Sequence, residues 1–207
     1  MKNILFQGDS ITDCCRDRDN DFFKGHGYAT IVAGRLSYAH AGELNFYNRG
    51  ISGNRIVDLY ARIKSDAINL KPDIMTVLCG VNDVWHELER QNGVAADKYE
   101  KVYSLFIEEI KAALPNIKIV IIEPFLLKGE GTEKYFDEFF SEVKLRAAAS
   151  KRIAEKYGLP FIPLQDKLSA LAEKIGDFAV LRDGIHPNIT GNALIADEVC
   201  KVLETLI

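Results

Sequence analysis

Short apolar runs recur along the chain at 4–6, 44–47, 74–79, 117–122 and 161–164. Each is bounded by Gly, Pro, Asn or Asp, the residue types that end a strand. The runs are nearly continuous rather than alternating, apart from Lys118 in the fourth. That pattern suits strands of a parallel sheet whose two faces are both covered. Between the runs the spacing of apolar positions changes to three and four. Ile56, Leu59, Tyr60, Ile63, Ala67 and Leu70 follow it, as do Tyr99, Val102, Tyr103, Phe106, Ile107, Ile110 and Leu114, and then Ile195, Val199, Val202 and Leu206. These are the buried faces of amphipathic helices. Further helices are predicted over roughly 28–40, 132–157 and 164–174, with Asp97 and Thr190 as predicted caps. There is no internal repeat, and the two glycines within 128–132 mark a loop rather than a boundary. The expected architecture is one α/β domain over 1–207, a three-layer α/β/α sandwich with an open five-stranded parallel sheet.

In such a sheet ligands bind beyond the carboxyl ends of the strands. The residues that follow the predicted strands therefore hold the candidate chemistry. Gly8-Asp9-Ser10 follows the first, Asn48-Arg49-Gly50-Ile51-Ser52-Gly53-Asn54 the second and Gly80-Val81-Asn82-Asp83 the third; Asp183-Gly184-Ile185-His186-Pro187 precedes the last helix. A flavodoxin-like strand order makes the first three neighbours on one rim. Four blocks converging there carry more weight than any one of them. Gly-Asp-Ser alone is a common tripeptide, and Ser10 alone could be only a helix cap.

Together, and in this order, the blocks resemble the signature of the SGNH (GDSL) hydrolases, whose naming residues match Ser10, Gly53, Asn82 and His186. The resemblance covers nearly the whole chain. It departs from the family tetrapeptide only at Ile11, where Leu is usual. It implies the flavodoxin-like SGNH hydrolase fold and a serine esterase needing no cofactor and no metal. A serine hydroxyl needs an adjacent base to act as a nucleophile. Among the four histidines, His186 has a carboxylate, Asp183, three residues before it in one short loop, placed to hold the ring proton and fix its tautomer. Ser10, His186 and Asp183 are thus the predicted triad. The backbone N–H groups of Ser10 and Gly53, with the Asn82 amide, are the predicted oxyanion hole. Gly8 is expected to turn the chain sharply off its strand, and Gly53 to let substrate approach where a Cβ would obstruct it. Asp9, Trp85 and His86 are candidate substrate contacts, although Asp9, like Asp83, is better suited to brace its loop by accepting backbone hydrogen bonds, and Trp85 could equally pack in the core. Ser52 lacks the spacing of a nucleophile elbow. His26 and His40 read as surface residues.

Charge narrows the class further. Twenty-six basic and thirty acidic residues are interspersed, for a net charge of −4. Nucleic-acid binding, which needs a basic face, is not expected. No apolar run is long enough to span a bilayer. The chain enters its first strand without a charged leader, which predicts a cytoplasmic protein. Its four cysteines include no Cys-x-x-Cys pair, so they read as reduced and mostly buried thiols. Self-association is compatible with the sequence but not legible in it.

The fuller stretches around Ser10, Gly53 and Asn82 look like those of bacterial carbohydrate acetylesterases within the family, including xylan deacetylases. The absence of an apolar lid favours a short acyl group over a fatty tail. The expected partner is therefore a small-molecule or oligosaccharide acetyl ester. The alternatives weighed are a lysophospholipase or short-chain thioesterase with the same triad, a flavin- or nucleotide-binding protein on the same sheet, and a catalytically silent carbohydrate-binding protein. The second lacks both Gly-rich phosphate motifs, and the third leaves a complete proton relay without a purpose.

Overall fold

Ile4, Leu5 and Phe6 are all wholly buried, because both faces of the strand that carries them are covered. In the computed structural model, which describes residues 1–207, that strand is β1 (Lys2–Gly8). It lies between β2 (Leu44–Asn48) and β3 (Ile74–Leu78); β4 (Lys118–Ile122) and β5 (Phe161–Ile162) complete the sheet. The order is β2-β1-β3-β4-β5 and every pairing is parallel. Ten helices connect or cover the strands: α1 (Ser10–Asp13), α2 (Tyr28–Ala39), α3 (Ile56–Ala61), α4 (Ile63–Asp66), α5 (Val81–Arg90), α6 (Ala96–Ala113), α7 (Phe136–Tyr157), α8 (Gln165–Ile175), α9 (Asp177–Val180) and α10 (Ile189–Glu204).

The sheet divides the core in two. Ile4 and Phe6 face one way, with Phe46 and Val120, against Val32 and Leu36 of α2, Leu168 of α8 and Ile195 and Val199 of α10. Leu5 faces the other way, with Met75, Val77 and Ile121, against Ile56 and Leu59 of α3, Tyr103 and Phe106 of α6 and Ile153 of α7. Each fully buried side chain of this size contributes about 1.5–3 kcal/mol through its removal from water. The three-layer α/β/α arrangement is the one expected from the apolar pattern, and the strand order is the flavodoxin-like one that the family resemblance implies. No helix is long and apolar enough to cross a membrane.

Several local expectations are corrected. The helix expected over 56–70 is broken into α3, α4 and a 3₁₀ turn at Ile68–Leu70. The break falls at Arg62, whose guanidinium is engaged beneath the rim loops. Asp97 does not cap α6, which starts one residue earlier. It lies in the first turn instead, where a carboxylate suits the positive helix end, and pairs with Lys101. Thr190 is likewise inside the first turn of α10; Asn188 stands at the cap and donates its amide to the Phe178 carbonyl. Among the cysteines, only Cys79 is fully buried, and Cys15 is exposed.

Candidate active site

β1 ends at Gly8, and α1 begins two residues later with Ser10. The Ser10 hydroxyl lies 2.8 Å from His186 Nε2. On the far side of the ring, Nδ1 lies 2.6 Å from Asp183 Oδ2. The other Asp183 oxygen accepts the backbone N–H groups of Ile185 (3.0 Å) and His186 (2.7 Å), which fixes the carboxylate in its own tight loop. With Asp183 as acceptor, Nδ1 carries the ring proton, and Nε2 is left to accept from Ser10. The arrangement can therefore take a proton from the serine. Burial works against the Asp183 charge, but the hydrogen bonds from the His186 ring and backbone and from Ile185 hold its carboxyl well below the usual carboxylate range.

The loops after β2 and β3 form the wall beside Ser10. Gly53 has φ +82°, a conformation open to glycine, and its N–H has no partner within the protein. Asn82 is 2% exposed; it donates one amide hydrogen to the Asn54 carbonyl at 3.1 Å, leaving the second for another acceptor. Both residues line a cleft of about 730 Å³ together with Ser10, Trp85, His86 and His186. The Trp85 ring packs 6.2 Å from His186 and 6.4 Å from Phe139, so it is both a wall of the cleft and part of the packing beneath it.

The glycines act otherwise than the sequence suggested. Gly8 is not in the left-handed region; it is required because a Cβ there would come within 2.4 Å of the Leu78 carbonyl and the Thr12 hydroxyl. Gly53 is the reverse case. A Cβ would have room, with the His86 ring the nearest group at 3.9 Å, and the positive φ is what demands glycine. Asp9 is also corrected. It is 1% exposed, accepts the Ile11 N–H at 3.0 Å and does not line the cleft, so it braces its loop rather than contacting a substrate. His86 does line the cleft. Ser52 reaches the cleft too, but its hydroxyl is committed to Asp13. His26 is exposed, as expected, and stands at the cleft edge, while His40 pairs with Glu204 far from the site.

Three features of the rim and cleft escaped the sequence. Arg62 staples the rim: it donates to the carbonyls of Gly8 and Arg49, to the Asn54 side chain and to Asp66. Asp13 ties the first loop to the second through the Ser52 N–H and hydroxyl. Glu89 and Arg90 extend the cleft wall beyond His86. The last pair had a signal, since Asn82, Trp85, His86, Glu89 and Arg90 recur at helical spacing. Metal binding finds no ready ligands, as no cluster of three His, Cys, Asp or Glu side chains is placed to hold an ion.

Two buried carboxyls flank the site floor. Burial pushes Asp9 up to about 7, against the Ile11 N–H and the nearby His186. Burial likewise pushes Asp83 up to about 8, against the Ile56 N–H and Arg146 and with the help of Asp9. Over this range the folded protein holds protons that an unfolded aspartate has already released, so stability falls as pH rises toward 8. The melting temperature is expected to decline between about pH 4 and about pH 8, and Asp83→Asn should flatten part of that decline. An identical slope in the variant would mean that Asp83 is charged throughout.

Comparison with known proteins gives a consistent picture. Residues 6–194 match the GDSL-like Lipase/Acylhydrolase family. An acetylxylan esterase of Geobacillus stearothermophilus is 32% identical over 94% of this chain and 90% of its own length. The crystal structure of an acetylxylan esterase from that organism superposes with a TM-score of 0.85 at 30% identity, covering 97% of this chain and 93% of the other. Variants of it described as catalytic mutants replace a serine, an aspartate and a histidine by alanine. A protein described as a GDSL-like lipase, from Parabacteroides merdae, superposes with a TM-score of 0.91 at 33% identity, covering 95% of this chain and 93% of that one.

Proposed function

The chain belongs to the GDSL-like lipase/acylhydrolase family and is an SGNH esterase, and from that premise we propose that it removes acetyl groups from carbohydrate esters through a Ser10–His186–Asp183 relay. The observation that carries the mechanism is the hydrogen-bonded line from the Ser10 hydroxyl through His186 to Asp183. Ser10 Oγ attacks the acyl carbon as its proton passes to His186 Nε2. The oxygen that becomes negative faces the N–H groups of Ser10 and Gly53 and the free hydrogen of the Asn82 amide. His186 then gives its proton to the departing alcohol, leaving an acetyl-serine. Water enters, loses a proton to His186 and attacks the same carbon, releasing acetic acid and restoring Ser10. Asp183 holds the Nδ1 proton throughout and stabilises the imidazolium.

Two things support the finer substrate assignment. The similar protein from Geobacillus is an acetylxylan esterase. Most side chains that line the cleft are also polar or charged: apart from Pro187, Ile11 and Trp85 are its only large apolar ones, beside Ser52, Asn54, His86, Glu89, Arg90 and Arg182. Such a lining offers a sugar hydroxyl partners and a long acyl chain little shelter. The test is kcat/KM across p-nitrophenyl acetate, butyrate, octanoate and palmitate, with acetate release from acetylated xylose alongside. Activity should be greatest on acetate, and acetate should be released from the sugar. Preference for octanoate or palmitate would point instead to a lysophospholipase or thioesterase.

The oxyanion assignment has its own check. Asn82→Ala should lower kcat by roughly 10²–10³ with little change in KM, because the lost donor acts on the transition state rather than on bound substrate. A change confined to KM would make Asn82 a binding residue.

A further inference from the structure

The catalytic cleft does not close at Trp85. Trp85, Glu89 and Arg90 line it on one side and, on the other, line an adjoining depression of about 390 Å³. The far wall of that depression is Tyr135, 37% exposed, with the Lys134 ammonium 4.5 Å from the centre of its ring. Phe139, 1% exposed, lies beneath and packs on Trp85. We propose that this depression is a second sugar subsite, so that the preferred substrate is an acetylated disaccharide or longer oligosaccharide rather than a monosaccharide. The proposal rests on the carbohydrate reading above and adds to it where the next sugar sits and what holds it.

Helix α5 sets the direction. Asn82, His86 and Arg90 are one turn apart, with Trp85 and Glu89 beside them on the same face, and all five line the catalytic cleft. The stripe runs from the Asn82 amide to Arg90, roughly 12 Å at 1.5 Å per residue, a length that one pyranose ring does not fill. At its outer end the chemistry is that of sugar recognition. Trp85 and Tyr135 offer ring surface to the C–H side of a pyranose, and Glu89, Arg90 and Lys134, which line the depression, carry hydrogen-bonding groups for its hydroxyls. The subsite is also fixed to the relay. The Gly131 N–H, on the loop that lines the depression, donates to the Asp183 carbonyl at 2.9 Å. A sugar seated against this loop therefore stands in constant register with the triad.

The experiment compares kcat/KM for acetate release from peracetylated xylose, xylobiose and xylotriose, using the wild-type protein and the Tyr135→Ala and Tyr135→Phe variants. Wild type should prefer the disaccharide to the monosaccharide by about five-fold, the scale of one aromatic contact, with little further gain for the trisaccharide. Tyr135→Ala should bring that ratio close to one, and Tyr135→Phe should keep most of it. Thermal melts confirm that the variants are folded, and the wild-type ratio is read independently of either. Equal rates on mono- and disaccharide in wild type, or a preference that survives Tyr135→Ala, would overturn the subsite while leaving the acetylesterase reading intact. Turnover of p-nitrophenyl acetate with no acetate released from any of the three sugars would overturn both.

Discussion

Ser10→Ala is expected to leave a folded protein that hydrolyses p-nitrophenyl acetate more slowly by several orders of magnitude. Ser10 is at the rim, not in either half of the core, and its hydroxyl makes one side-chain hydrogen bond, to His186. Its removal leaves no buried donor or acceptor without a partner, since His186 can turn to water in the open cleft. Stability should therefore change little, while acyl transfer loses its attacking atom. The residual rate over water would come from the oxyanion donors and from substrate binding alone, as in other serine hydrolases stripped of a triad member. Retention of more than about a tenth of wild-type turnover would show that another group attacks the ester. A fluorophosphonate probe gives the same answer independently: it should label the wild-type protein and not the variant.

Asp183→Asn should cost about 10⁴ in kcat, the scale of a tautomer error in such a triad. Asparagine keeps an oxygen for the N–H groups of Ile185 and His186, so the loop should survive. Its amide would replace the acceptor that now faces His186 Nδ1 at 2.6 Å. A donor there drives the ring proton to Nε2, which then points a hydrogen at Ser10 and cannot take one away. The signature is a fall in kcat with KM nearly constant and the melting temperature nearly unchanged. A loss of only a few fold would mean that His186 is oriented by its loop and that the carboxylate contributes little to the relay.

The strands were legible because their runs are apolar on both faces, and the rim blocks were legible because a parallel sheet puts function at one edge. Ser10, Gly53 and Asn82 could be placed together because they follow β1, β2 and β3, which are neighbours in the sheet, and His186 joined them through the resemblance to the family signature. Legibility failed where a residue works through distant partners or turns its polar side inward. Helix α5 carries Asn82 and Asp83 buried, and His86 half-buried, on faces that an apolar pattern would leave to solvent, so periodicity did not mark it. Arg62 reads as one charge among many on a helix; that it ties Gly8, Arg49 and Asn54 together depends on loops 8 to 54 residues away. Asp9 offered two readings from the sequence, a substrate contact and the favoured loop brace, and the structure shows the brace. Adjacency to a nucleophile suggests contact with substrate, but the alternation at the strand end turns its carboxyl inward, onto the Ile11 N–H. Gly8 and Gly53 were identified as necessary but with their reasons exchanged, because a clash with a carbonyl and a positive φ look the same in one letter.

The two atoms that meet at 2.8 Å in the relay belong to residues 176 positions apart. In chain order Ser10 precedes β2 and β3, and His186 follows all five strands. β1, β2 and β3 can pair, and the side of the sheet that faces α3 and α6 can begin to fill, while the nucleophile still lacks a partner. A chain stalled before Asp183 would carry Ser10, Gly53 and Asn82 but not the imidazole that the proposed relay requires. Closing so long a loop comes late in folding, after the contacts near in sequence have formed. Ester turnover followed during refolding should accordingly lag behind the recovery of helical signal, which makes the enzyme its own clock for the final docking of the segment that holds His186.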